Sequence, residues 1–212
     1  MSKIFFPSCK VTEAFPESNA QLSAYMEKRW GMPKAGCCRV ERQGLKEKDT
    51  AIVICHTCAG ILAESSAANV EYAWTYIDKD TDFAFPDYGG EKITMQDCFM
   101  CKDYPEVMDT VRSLLKKMHF EVVELPAHQE TADFCGLLTN PILAANAELA
   151  PKRFGQKEFH ALSAEERKAY LQQHVASITT PRVVDYCRAC HAALKQGGAN
   201  AVHLVELLFP VK

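Results

Sequence analysis

Ile52-Val53-Ile54-Cys55-His56-Thr57-Cys58 and Val184-Asp185-Tyr186-Cys187-Arg188-Ala189-Cys190 decide how this chain is read. Each is a short apolar run closed by CxxC. Such a run fits a buried strand, and the CxxC turn that follows can aim two sulfurs at one ion. Working outward, the ten cysteines fall into two sets of five. The first is Cys9, Cys37, Cys38, Cys55 and Cys58; the second is Cys98, Cys101, Cys135, Cys187 and Cys190. In each set a lone cysteine follows a short apolar run, a cysteine or a pair stands in mid-segment, and CxxC closes the set. Thiolates grouped this way converge on soft metals, as zinc or iron–sulfur centres.

The two sets belong to an internal repeat. An ungapped shift of 89 positions lays Lys3-Ile4 on Lys92-Ile93, Cys9 on Cys98 and Phe15-Pro16-Glu17 on Tyr104-Pro105-Glu106. Thr12 falls on Cys101, which therefore has no counterpart. With gaps, Cys37-Cys38 corresponds to Phe134-Cys135, and the two CxxC segments correspond to each other. The connection between these features is 16 residues in the first half and 51 in the second. Pro86-Asp87-Tyr88-Gly89-Gly90 reads as a linker. The expected organisation is a cysteine-rich domain over residues 1–86 and a second over 91–212 with a helical insertion.

The expected fold class is α/β: two pseudo-repeated small α/β halves with short parallel sheets, each carrying a five-cysteine metal site. Ile4-Phe5-Phe6 and Ile93-Thr94-Met95 read as buried strands. Pro16-Glu17 and Pro105-Glu106 read as helix starts, with proline and acid in the first turn. Val107, Val111, Leu114, Leu115 and Met118 keep a helical period. Phe120 to Leu125 reads as the next strand, so strand, helix, strand predicts a parallel crossover. Ser163 and Glu166 form a capping-box pattern ahead of a helix reaching about His174. Val202 to Leu208 reads as a short final helix.

Composition excludes several classes. The 212 residues carry net charge -3, with no basic excess of the kind nucleic-acid binding needs. No run of about 18 apolar residues offers a membrane span. The N-terminal apolar stretch is too short for a signal peptide, so a cytoplasmic, reducing compartment is expected. There, clustered cysteines read as metal ligands or redox groups rather than disulfides. Neither a GxGxxG nor a GxxxxGK phosphate loop occurs. Cys187-Arg188-Ala189-Cys190-His191 matches the c-type haem attachment pattern, but the repeat already accounts for its cysteines.

Phe6-Pro7-Ser8-Cys9, Phe15-Pro16-Glu17, Cys37-Cys38 and Cys55-His56-Thr57-Cys58 together resemble the CCG, or cysteine-rich, domain. So do Ile93 to Cys98, Leu114-Leu115, Val122 to Leu125, Cys135-Gly136 and the tail His203 to Leu208. Two such domains in tandem are similar to the cysteine-rich, tandem-CCG component of heterodisulfide reductase. The resemblance implies a noncubane 4Fe–4S cluster on each set and reduction of a disulfide at that site. Cys9, Cys37, Cys38, Cys55 and Cys58 would bind one cluster; Cys98, Cys135, Cys187 and Cys190 match the second. Arg39 stands where the family has glycine after the pair, and Phe134 replaces one cysteine of the second pair. Cys101 is then the candidate for the missing thiolate.

Adjacent thiolates such as Cys37 and Cys38 suit a single tetrahedral zinc poorly, and five sulfurs exceed what one zinc uses. That excess favours a multi-iron centre, with zinc as the alternative. The expected function is an iron–sulfur oxidoreductase or electron-transfer subunit that reduces a thiol-derived disulfide. With no flavin or nicotinamide fingerprint, electrons are expected from a redox partner protein. The competing expectation is a non-enzymatic binding or sensor protein stabilised by zinc or a cluster. Lys10, Arg39 and Arg42 are candidates for drawing an anionic substrate or acidic partner to the first site. His56 and His191 flank the CxxC turns as ligands, proton carriers or hydrogen-bonded bystanders. His128, His160 and His174 read as solvated.

Overall fold

A computed structural model describes residues 2–65, 68–102, 104–137 and 162–211. Its architecture is α/β, built on two short parallel sheets. The first contains β1 (Lys3–Phe6), β2 (Thr50–Val53) and β3 (Asn69–Tyr72), in that spatial order. Phe5 pairs with Ile52 and Ile52 with Glu71. The central strand β2 is buried along its whole length, as expected where both faces are covered. The second sheet contains β4 (Lys92–Met95), β5 (Glu121–Glu124), β6 (Arg182–Asp185) and β7 (Ala201–His203), ordered β5-β4-β6-β7.

Parallel strands need crossover connections, and helices supply them. After β1 come α1 (Cys9–Ala14) and α2 (Pro16–Trp30), then α3 (Cys38–Glu41) before β2. α4 (His56–Ser65) joins β2 to β3, and α5 (Ala73–Lys79) follows β3. α6 (Pro105–Lys117) joins β4 to β5, α7 (Ala164–Val175) precedes β6, α8 (Arg188–Gly197) joins β6 to β7, and α9 (Leu204–Leu208) closes the chain. α2 has Pro16 and Glu17 in its first turn, Lys28 and Arg29 in its last, and a left-handed cap at Gly31, φ 63°. α6 repeats the pattern with Pro105, Glu106, Lys116 and Lys117. The Ser163–Glu166 capping box forms with both reciprocal bonds.

One buried apolar cluster runs through both sheets, from Phe5, Leu22, Ile52 and Trp74 to Ile93, Leu114, Val184 and Leu207. A smaller one gathers Phe134, Leu171, Val183 and Leu194 around Cys98, Cys135, Cys187 and Cys190. The parallel β4–α6–β5 crossover is present as predicted. The tail differs from its reading as one helix. Val183 and Val184 pair with Ala201 and Val202, so the edge of the sheet takes residues 201–203 and the helix begins only at Leu204. His203 caps that helix, its Nδ1 accepting from the Val205 amide at 3.2 Å. β3 and α5 carry no clear signal in the sequence: Asn69-Val70-Glu71-Tyr72 is half polar because it lies on a sheet edge.

Candidate metal centre

In the second half the cysteines are delivered by strand ends. Cys98 follows β4, Cys187 follows β6 and caps α8, Cys190 lies in the first turn of α8, and Cys135 comes in on a loop. Their four Sγ atoms all lie within 4.8 Å of one another, and all four residues are buried. A tetrahedral ion with Zn–S bonds of about 2.3 Å spaces its sulfurs about 3.8 Å apart. The four therefore form a cage that can hold a metal. Hydrogen bonds from Cys187, Cys190 and Cys98 hold the Cys135 thiol well below its ordinary pKa, whereas burial pushes Cys98 and Cys190 up. Cys187 is also shifted down, through Cys190 and Cys98, and metal binding would release the protons the four thiols still hold.

The cage is braced from behind. Asp97, fully buried, accepts from Tyr186 Oη at 2.8 Å, the Gln129 amide at 2.7 Å and Arg112 Nη2 at 2.6 Å. That fixes the residue before Cys98 and the residue before Cys187 against each other. Gly136 follows Cys135 so closely beneath α8 that a Cβ there would sit 1.9 Å from the Ala189 carbonyl oxygen. Phe134, in the place of a paired cysteine, stacks on His174 at 3.8 Å between ring centres, and His174 Nε2 bonds Gln96 Oε1 at 2.5 Å. His174 and His128, which bonds the Leu125 carbonyl at 2.7 Å, are thus held by protein. His160 lies outside the described residues.

The first set is arranged differently. Cys9 opens α1 immediately after Ser8, whose backbone has φ 62°. Cys37 and Cys38 stand at the start of α3, Cys55 follows β2, and Cys58 lies in α4. The five thiols act on one another in series through their pKa values: Cys37 on Cys9, Cys37 and Cys58 on Cys38, and Cys38 and Cys55 on Cys58. Among the described residues, no three first-half thiols lie mutually within 4.8 Å, as the four of the second half do. Hydrogen bonding to Cys58 draws Cys38 and Cys55 down to about 7, and Arg39 adds to the effect on Cys38. Cys9 is exposed and Cys37 half-buried, so this end of the series faces solvent. Arg39 and Arg42 are half-buried beside it, Val40 is 71% exposed, and Lys10 pairs with Glu13 at 2.6 Å.

Cys101 is buried away from the cage, with its Sγ against the His56 ring of the first half. His56 Nδ1 also lies 2.8 Å from Tyr72 Oη. Burial pushes the Cys101 thiol up and the His56 imidazole down. The two cysteine sets are neighbours: the charge of Cys187 is felt at both Cys55 and His56. A second group escaped the sequence. Asp185, fully buried, bonds His191 Nδ1 at 2.9 Å, and burial raises its carboxyl to about 7. His191 and His203 both pack on Phe15, at 4.9 and 5.0 Å between ring centres. Asp185 sits in the repeat segment itself, but an acid in an apolar strand reads as an edge residue until its histidine partner is seen.

No protein-family model matches this chain, and comparison with curated proteins and with solved structures returns no match. No helix among the described residues is long and apolar enough to cross a membrane. The chemistry of the site therefore rests on its own donor sets: a compact cage of four thiols beside an open series of five.

Proposed function

We propose that this chain is an iron–sulfur redox subunit of the tandem cysteine-rich type, receiving electrons from a partner protein and passing them to a thiol-derived disulfide. The observation that supports this most is the thiol series from Cys9 through Cys37, Cys38 and Cys58 to Cys55. Five neighbouring thiols that influence one another's protonation exceed the needs of one tetrahedral ion and suit a polynuclear centre. A noncubane 4Fe–4S cluster, as the resemblance implies, would supply electron transfer at sulfur when bound there. Cys38 and Cys55, drawn to about 7, become ligands at little proton cost. Exposed Cys9 gives the series an outward end, and Arg39 and Arg42 beside it favour an anionic thiol compound or an acidic partner. The second set, Cys98, Cys135, Cys187 and Cys190, is buried apart from a small exposure at Cys187, and serves as a relay or structural centre.

The span of the second cage favours another reading for that half alone. Four buried thiols within 4.8 Å also suit one zinc ion, which would make the second half a metal-stabilised support. Iron, acid-labile sulfide and zinc measured on anaerobically purified protein, with Mössbauer and EPR spectra, distinguish these cases. The expected result is iron with sulfide, lost from the first half in Cys37→Ser/Cys38→Ser. Stoichiometric zinc without sulfide, from iron-replete anaerobic cells, overturns the redox reading.

A further inference from the structure

Tyr72 faces two ways. Its hydroxyl bonds His56 at 2.8 Å, and its ring helps to line a cavity of about 610 Å³ that none of the ten cysteines enters. That volume lies in the range of small-molecule sites. Residues on both sides of the linker form its walls, with Trp30 and Tyr76 from the first half and Tyr104 from the second. The rings stand in two edge-to-face pairs, Trp30 with Tyr76 at 5.5 Å and Tyr72 with Tyr104 at 5.4 Å. Trp30, Tyr76 and Tyr104 are only half-buried, so part of each ring surface remains open.

These walls are held without any ligand. Arg29, on the rim, gives Nε and Nη2 to Asp80 at 2.8 and 2.9 Å and Nη2 to Asp82 at 2.6 Å. Asp80 also accepts from Tyr25 Oη at 2.7 Å. The Tyr76 hydroxyl is held between Lys3 Nζ, at 2.6 Å, and the Glu71 carboxylate. Rings fixed in this way lose little freedom when a ligand enters, which is what preorganised sites exploit. The polar lining is of a kind that fixes orientation: the Thr75 hydroxyl and the Arg29 guanidinium can donate to carbonyl oxygens.

We propose that this cavity binds a planar, carbonyl-bearing heteroaromatic ring, stacked among Trp30, Tyr72, Tyr76 and Tyr104 and oriented by Arg29 and Thr75. A bound ring would lie against Tyr72 and be joined to the first cysteine set through His56, the residue next to Cys55. Because no cysteine lines the cavity, binding does not require metal and holds whichever metal the cysteines carry.

Riboflavin, an uncharged ring of this class, is the probe. The chain has two tryptophans; Trp30 lines the cavity and Trp74 is fully buried in the core. Titration of the purified full chain, metal-loaded or metal-free, is expected to quench tryptophan emission saturably. Trp74→Phe should leave the affinity unchanged and Trp30→Phe should weaken it, since it reduces one stacking face. Tyr76→Ala should weaken binding about tenfold, since it removes one stacking face. Thr75→Arg, which fills the cavity from α5, should abolish binding while the far-ultraviolet circular dichroism stays that of the parent. Absence of saturable quenching up to the solubility limit of riboflavin overturns the proposal. So does undiminished affinity in a folded Thr75→Arg protein.

Discussion

Cys101 Sγ lies 2.8 Å from Nε2 and 2.9 Å from Nδ1 of His56, so the second half's extra thiol points into the first half. Tyr186, one residue before Cys187, meets the same imidazole edge-on at 5.4 Å. The short turn Phe99–Cys101 turns Cys101 away from Cys98, whose sulfur belongs to the four-thiol cage. The contact makes the halves mutually dependent at their sites.

Cys101→Ser is therefore expected to leave the metal content of the second half unchanged and to perturb the first-half spectrum through His56. Metal analysis of Cys101→Ser, compared with Cys135→Ser, checks this. Loss of the second centre in Cys101→Ser would return Cys101 to that site as a ligand.

Gly136→Ala should damage the cage without touching a sulfur. Its methyl would meet the Ala189 carbonyl oxygen at 1.9 Å and Ala193 Cβ at 2.9 Å, and backbone cannot yield as a flexible side chain can. Cys135 or α8 must move, at a cost of about 1–3 kcal/mol for overpacking alone. Thermal unfolding and second-half metal content should both fall. Parent-like values would show that the loop relaxes freely.

Asp97→Ala should cost about 1–3 kcal/mol, the usual penalty for leaving buried donors without their acceptor. It strands the Tyr186 hydroxyl and the Gln129 amide and leaves Arg112 paired with Glu124 alone. Denaturant unfolding measures the loss. A weaker second-half metal affinity should accompany it, because groups that orient the ligands of a metal are worth about 10–100-fold in binding. A change under about 1 kcal/mol would mean that water replaces the carboxylate.

Asp185 sets a pH dependence for the metal-free protein. Its folded pKa is raised to about 7 by burial, whereas an unfolded aspartate titrates near about 3.9. Between these values the folded chain holds the extra proton, so this group's contribution to stability falls as pH rises through that window and is level above it. Asp185→Asn should remove that fall and stabilise the protein at pH 8 relative to the parent by a few kcal/mol. Denaturant midpoints at pH 4, 6 and 8 test it; parallel curves for parent and variant would sink the assignment.

Much of the fold was legible because it depends on local rules. The strands at residues 3–6 and 92–95 announce themselves as apolar runs, and Pro16 and Pro105 mark helix starts with the only residue that favours a first turn and forbids an interior one. Of the five cysteines grouped in the second half, Cys98 and Cys187 were legible because each follows an apolar strand, and Cys190 because CxxC opens a helix; Cys135 comes in on a loop. What the sequence concealed depends on distant partners. Cys101 and Cys98 are three residues apart, yet a single 3-10 turn separates their directions. Residues 69–72 look too polar for a strand until β2 supplies their hydrogen bonds. The final strand is hidden in a helical pattern because sheet pairing with β6, and not local preference, claims residues 201–203.

The cage ties residue 98 to residue 190, so an ion held there is also a clasp on the chain. Its grip acts on the unfolded state, which loses the freedom of a long loop whenever the ion is bound. Loop-closure entropy grows only as the logarithm of length, and each doubling costs only about 0.6 kcal/mol. The connection of 51 residues between Cys135 and Cys187 can thus gain residues outside α7 and β6 at small thermodynamic cost, provided both anchors keep their sulfurs. A clasp of this kind lets one half of the molecule acquire new sequence while its geometry at the thiols stays fixed.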